Sequence, residues 1–342
     1  MSENLDGLRV LLCGLQDAVL QAALEQQRAA PRVQLTAIAA ETKSDTIFQI
    51  DRVVEGAILD WLSSHWPSGE PLELVMEGID DEALVFPAGV RVVDTTWKCI
   101  VDPIDGTRSW MHDKRSAWSL AAIAPQRGAG TRLSDIAVAA MTELPVTKQW
   151  RADQLSAVRG AGVIAEAIDV RGGGRLTWRP APSEALDFRQ GFAGISKFFP
   201  QGKALLADLE EAFWAELHGN EPQAAPLVFD DQYVSTGGQI YELLSGRDRM
   251  WADLRPQAFR KLSLGLSLSC HPYDICTAMI LTELGGVVEA PEGHPLDAPL
   301  DTTSPISWVG YANPTLAALA RPVLRRLVRE RLGSSGADDP VS

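Results

Sequence analysis

The segment Val101-Asp102-Pro103-Ile104-Asp105-Gly106-Thr107 sets two carboxylates three positions apart at the end of an apolar run, followed by a glycine and a hydroxyl. A strand that ends this way can aim several oxygens at one point, and oxygen donors suit a hard cation such as Mg²⁺. Pro103 fixes its φ angle and Gly106 permits an unusual one, so the turn is stiff and its amides can approach an anion closely. If Thr107 opens a short helix, the first amides of that helix add a phosphate site. The plain alternative is a surface turn rich in Asp, Pro and Gly. An isolated Asp-Gly pair would be read that way; the full string is more specific.

Two further segments flank it in order: Met76-Glu77-Gly78 upstream, and His271-Pro272-Tyr273-Asp274-Ile275 downstream, the latter followed by Gly285-Gly286. Together with the 101–107 string they resemble the inositol monophosphatase-like phosphatases. That superfamily also includes fructose bisphosphatases, nucleotide 3′-phosphatases and some histidinol phosphatases. The resemblance covers roughly residues 43–313 and is carried by separate motifs with variable stretches between them. It implies an α+β fold, a layered α-β-α-β-α sandwich, and hydrolysis of a phosphate monoester on a small phosphorylated metabolite of the inositol monophosphate type. The cofactor it implies is Mg²⁺, on the order of two or three ions per site, and the assembly it implies is a homodimer.

Carried over position by position, the resemblance makes Glu77, Asp102, Asp105, Asp274 and the carbonyl of Ile104 the metal ligands. Gly106 and Thr107 would offer amides to the phosphate. Asp51 resembles the acid that orients the attacking water with the motif threonine, so Asp51, Thr107 and Glu77 form the catalytic set. Lys43 resembles a lysine preceding that helix. Ser235-Thr236-Gly237-Gly238-Gln239 resembles the family's small-residue helix start beside the substrate, so Ser235, Thr236 and Asp274 are expected against substrate. The small residues there would let a ligand approach a helix N-terminus.

Each of these residues also has a structural use. Asp274 could cap its helix, Glu77 could be a solvated strand-end charge, and Asp51 could lie on the wet face of an amphipathic helix. Two departures bear on specificity. Gly78 stands where the family has a second acid, and Arg108-Ser109-Trp110 stands where inositol-type enzymes show Thr-Asn-Phe. They keep open a histidinol-phosphate, sugar or nucleotide bisphosphate phosphatase, and also a catalytically weak member that serves as a binding or regulatory protein. The stretch between Trp251 and His271 is longer than in simple family members. Its Arg255, Arg260 and Lys261 could reach a second anionic group, although a solvated connecting hairpin is the preferred reading.

The elements that must position these residues follow from apolar spacing. Residues 5–28 carry a helical stripe, and Ser44 and Asp45 read as caps for a second helix from Ile47 to about Ser64. Short apolar runs at 72–76, 84–86, 90–93, 97–101, 119–124 and 136–141 read as strands. Helices are expected at 201–218, 235–244 and 272–284, with a turn at Gly172-Gly173-Gly174. Two subdomains are expected, 1–185 with most metal ligands and 186–332 completing the site, followed by a flexible tail at 333–342.

The chain of 342 residues is 46% hydrophobic and 22% charged, the balance of a globular protein. With 31 Lys and Arg against 45 Asp and Glu, its net charge of −14 argues against nucleic-acid polymers and anionic membranes as partners. The same sign means that a phosphate could enter a carboxylate-lined site only alongside cations. The four cysteines lack metal or disulfide spacing, and the N-terminal apolar stretch is broken by Arg9, Gln16 and Asp17, so a cytoplasmic location is expected. Gly160-Ala161-Gly162-Val163-Ile164-Ala165 loosely matches a dinucleotide fingerprint but reads as a hairpin turn. The five histidines lack ligand spacing, and the ten tryptophans are dispersed, as core residues would be.

Overall fold

The computed structural model describes residues 2–29, 38–41, 46–219, 227–266 and 268–333. Lys43, Ser44 and Asp45 lie outside these, as does the tail beyond Gly333. Helix α1 (Ser2–Ala29) buries Leu8, Leu12, Leu15, Val19 and Ala23, one stripe at helical spacing. By length and composition α1 could cross a membrane, but here its stripe packs on α2 (Gln49–His65) and on a large sheet. A short hairpin of β1 (Ile38–Glu41) and β2 (Thr46–Phe48) precedes α2. The second helix therefore starts later than expected, and Ile47 belongs to a strand. The boundary is set by Asp51, whose Oδ2 accepts the Phe48 N–H at 2.7 Å and satisfies a donor the first turn leaves open.

Eight strands form the large sheet: β3 (Leu72–Met76), β4 (Ile79–Phe86), β5 (Trp97–Asp105), β6 (Ala117–Pro125), β7 (Val138–Leu144), β8 (Arg151–Val158), β9 (Val163–Asp169) and β10 (Arg175–Trp178). Their order is β10-β9-β8-β7-β6-β5-β3-β4, antiparallel throughout except for β3 beside β5. The Gly160-Ala161-Gly162 and Gly172-Gly173-Gly174 segments are hairpin turns of this sheet. No strand forms at 90–93. Val92–Asp94 is a single 3₁₀ turn, clamped by Arg91 onto Asp94 and leaving Val93 79% exposed, so a strand there would bury no face.

The central strands are covered on both sides. Cys99, Val101, Ala121, Ile123, Val138 and Ala140 face the α1–α2 layer, while the alternating Ile100, Leu120, Ala122, Ala139 and Met141 face a middle layer. That layer holds α5 (Thr236–Leu244), α7 (Pro272–Ile275) and α8 (Ala278–Glu283), the preceding short helix α3 (Thr107–Met111) lying at the end of β5. The continuous helix expected over 272–284 is thus two pieces, which bury Tyr273 and Ile275 in one and Met279, Ile280 and Leu281 in the other. Beyond the middle layer a second sheet runs β12-β11-β13-β15-β14, from β11 (Gly191–Ile195), β12 (Val228–Phe229), β13 (Asp248–Asp253), β14 (Val287–Glu289) and β15 (Trp308–Tyr311). Its outer face carries α4 (Lys203–His218), α6 (Arg255–Lys261) and α9 (Pro314–Leu332). The result is the expected α-β-α-β-α sandwich. Sequence reading missed α9, although Asn313 and Pro314 are a capping signal: the Asn313 side chain accepts the Leu316 N–H at 3.0 Å.

One buried acid couples this fold to pH. Asp248 opens β13 and is 8% exposed. Burial, then the charges of Glu242 and Asp231, push its carboxyl up to about 7 against the opposing pull of Arg115 and Arg247. A carboxyl raised in the folded state favours folding while protonated, so its contribution is lost as pH rises from about 4 toward 7. Asp248→Asn should flatten that slope and stabilise the protein at pH 8 by about 1–2 kcal/mol, with little change at pH 4. Urea unfolding at the two pH values checks this.

Candidate metal centre

The parallel pairing of β3 with β5 continues past Met76, where the Glu77 N–H donates to Val101 O at 3.1 Å and sets Glu77 beside Asp102. Gly78, which departs from the family pattern, has a backbone reason. Glu77-Gly78 is the two-residue link between β3 and β4, and Gly78 sits at φ +84°, which a side chain would strain. On the other side of β5, Asp102 pairs with Leu120 and Asp105 with Trp118. Three steps along β5 thus match two along β6. This one-residue bulge turns two carboxylates that would face opposite ways in a regular strand toward the same side.

Each acid is held by a nearby donor. Asp102 Oδ1 accepts the Ile104 N–H at 3.0 Å. Asp105 Oδ2 accepts from Ser235 Oγ at 2.8 Å and from the Gly237 N–H at 2.5 Å, at the start of α5. Asp274 lies one turn into α7, where its Oδ2 accepts the His271 N–H at 2.6 Å, so it does serve its helix end. It also joins the cluster: one ligand atom each from Asp102, Asp105 and Asp274 lie within 4.8 Å of one another. Burial, then the charges of Glu77, Asp105 and Asp274, hold the Asp102 carboxyl well above the usual carboxylate range. Burial pushes Asp105 up to about 6, opposed by its bonds to Gly237, Ser235 and Thr236 and by the charge of Arg255.

Asp51 reaches the same place from α2. Thr107 Oγ1 lies 3.3 Å from Asp51 Oδ1 and 2.7 Å from Ile104 O, which can each accept the hydroxyl proton. Gly106 stands at φ +95°, and a Cβ there would meet Ser235 Cβ and Val234 O at 3.0 Å, so both backbone and space require glycine. One pocket is lined by Glu77, Asp102, Ile104, Asp105, Gly106, Thr107, Ser235, Thr236 and Asp274.

Several expectations are adjusted. The Ser235 hydroxyl is occupied by Asp105 and by the Gly238 N–H at 2.9 Å, so it fixes the start of α5. The small residues after it admit protein atoms. A Cβ on Gly237 would meet Leu120 Cδ2 at 2.6 Å, and one on Gly238 would run into the Tyr233 ring. The 251–271 stretch is no solvated hairpin throughout, because Arg255 opens α6 buried, lines the pocket and pairs with Asp253, whereas Arg260 and Lys261 are exposed. Sequence reading also left out Phe198, Phe199 and Ser269 as pocket residues. Neither Cys270 nor Cys276 offers a ready nucleophile, since burial holds both thiols well above their usual value.

No protein-family model matches the chain, and a search of curated proteins finds no match. Solved structures do match. Leishmania major fructose-1,6-bisphosphatase superposes with a TM-score of 0.65 at 16% identity, over 94% of each chain. The extragenic suppressor protein SuhB from Bartonella henselae gives 0.63 at 15% identity, over 94% of this chain and 99% of that one. Mycobacterium tuberculosis SuhB gives 0.54 at 16% identity, over 94% and 97%. The chain has the inositol monophosphatase-like fold. Within that fold, Glu77, Asp102, Asp105 and Asp274 line one pocket although they span positions 77 to 274, and Asp51 bonds to Thr107 at its edge.

Because Asp102 is crowded by like charges, Asp102→Asn should stabilise the protein in chelator by about 1 kcal/mol or more, the scale of ordinary single substitutions. The amide can still accept the Ile104 N–H. Urea unfolding in EDTA measures the difference.

Proposed function

We propose that the protein is a Mg²⁺-dependent phosphate-monoester hydrolase acting on a small polar phosphorylated metabolite. The observation that carries this reading is the meeting of Asp102 and Asp105 of β5 with Asp274 of α7 beside the Thr107–Asp51 pair. The donor set fits a hard divalent cation: it is all oxygen, it is largely buried, and the repulsion around Asp102 is the kind a cation relieves. Glu77, Asp102, Asp105, Asp274 and Ile104 O are the residues that would hold it. Bound there, magnesium would neutralise the acids, bind phosphate oxygens and make water a better nucleophile.

The remaining work falls to the chain's own groups. Thr107 Oγ1, between Asp51 Oδ1 and Ile104 O, can orient an incoming water, and Asp51 can take its proton as the oxygen attacks phosphorus and the ester P–O bond breaks, the alcohol leaving with a proton from solvent. Asp51 is itself held by the Phe48 N–H, so its carboxylate does not have to be ordered during the reaction. Gly106 and Thr107, at the start of α3, are positioned to offer amides to the phosphate, and Arg108 adds a positive charge to the same pocket. No covalent intermediate is needed, since phosphoryl transfer asks mainly for positioning and charge neutralisation.

Phosphate release from inositol 1-phosphate, histidinol phosphate, fructose 1,6-bisphosphate and adenosine 3′,5′-bisphosphate, with and without Mg²⁺, tests the reading. Turnover of at least one compound should require Mg²⁺, and Asp51→Asn or Thr107→Ala should lower kcat by about 10²–10⁴-fold. Both variants should keep the rise in melting temperature that Mg²⁺ gives the wild type. A Mg²⁺-induced rise with no turnover of any phosphate monoester would count against hydrolysis and favour a binding role.

A further inference from the structure

We propose that Arg255, Ser269 and the Phe198–Phe199 pair form a second subsite of the same pocket, which takes an anionic group, a carboxylate or a second phosphate, on the alcohol part of the substrate. The inference rests on the phosphatase reading and specifies its substrate class. The topology supplies the place. β11 and β13 run parallel, Phe198 and Phe199 follow the carboxyl end of β11, and Arg255 follows that of β13. The crevice beyond the carboxyl ends of parallel strands is where open α/β sheets bind ligands.

Arg255 presents its charge to one side only. Its Nε and Nη2 hold Asp253 and its Nη1 donates to Leu268 O at 2.7 Å. Asp253 is fully buried and does not line the pocket, whereas Arg255 does. A guanidinium has five N–H groups, and among the described residues these contacts take three, leaving one on each of Nη1 and Nη2. Two such donors match the paired oxygens of a carboxylate or phosphate. The guanidinium carbon lies 4.6 Å from the Phe198 ring centre and 5.5 Å from that of Phe199, which fixes its plane and shields it from water. Ser269 is 7% exposed, and its buried hydroxyl has no partner among the described residues, a state that a ligand acceptor in this pocket would relieve. Arg260 and Lys261, exposed and outside the pocket, take no part.

Matched substrate pairs test this. Glycerol 2-phosphate and 2-phosphoglycerate differ in a carboxylate; fructose 6-phosphate and fructose 1,6-bisphosphate differ in a second phosphate. With Mg²⁺, kcat/KM should favour the more anionic member at least tenfold in one pair, and which pair does so distinguishes carboxylate from phosphate. The double variant Asp253→Asn with Arg255→Gln leaves no lone buried charge and should bring that ratio to within about threefold of unity. Ser269→Ala should lower it a few-fold through KM, and it decides the matter if the double variant does not fold. Mg²⁺-dependent turnover of p-nitrophenyl phosphate without preference in either pair would overturn the subsite and leave the phosphatase reading standing, as would a preference that survives both sets of changes. Absence of Mg²⁺-dependent turnover of every one of these compounds by the wild-type protein would overturn both.

Discussion

The structure depends on holding several carboxylates together in a largely buried place. Like charges brought together away from water repel strongly, so the fold ties one oxygen of each to a donor of its own backbone or of an adjacent helix. Asp51 takes the Phe48 N–H, Asp102 that of Ile104, Asp105 that of Gly237, and Asp274 that of His271. The acids are thereby fixed in direction by the fold itself. Burial lifts the carboxyls of both Asp102 and Asp105, and at Asp102 the neighbouring acids add to it.

The middle helical layer is the consequence. Asp105 belongs to β5 of the large sheet, but its bonding partners begin α5, so α5 must approach the sheet closely. Gly237 makes that possible by lying against Leu120 and Trp118, and Gly238 does the same against Tyr233. The small residues at this helix start therefore serve the junction between layers. The far end of the layer is anchored by Tyr241, whose hydroxyl donates to Asp153 at 2.5 Å across to β8. A short helix bonded at both ends to the same sheet keeps Asp105 from turning away.

The second sheet contributes differently. It supplies no carboxylate of the cluster; its parallel strands β11 and β13 deliver an aromatic pair and an arginine to the pocket edge. Arg255 interacts with Asp105 and Asp274 through space, so the two sheets are joined electrostatically as well as by packing. The sandwich thus separates the clustered carboxylates from the arginine and aromatic pair at the pocket edge.

By itself the sequence determined the local geometry of the acids. The Asp102-Pro103-Ile104-Asp105-Gly106-Thr107 turn, the Glu77 strand end and the Asp274 helix start are short-range features, governed by φ limits and by hydrogen bonds over a few residues. The layered class was legible for a similar reason, since apolar spacing fixes element type. Boundaries at Ile47, 90–93 and 272–284 were misread where a single capping contact or the absence of a buried face decided the outcome. Only the tertiary structure decided that Ser235 holds Asp105, that Gly237 and Gly238 make room for protein, and that Arg255, Ser269, Phe198 and Phe199 share the pocket. Those facts follow from strand order in the second sheet and from the distance between layers, which no spacing within one segment encodes.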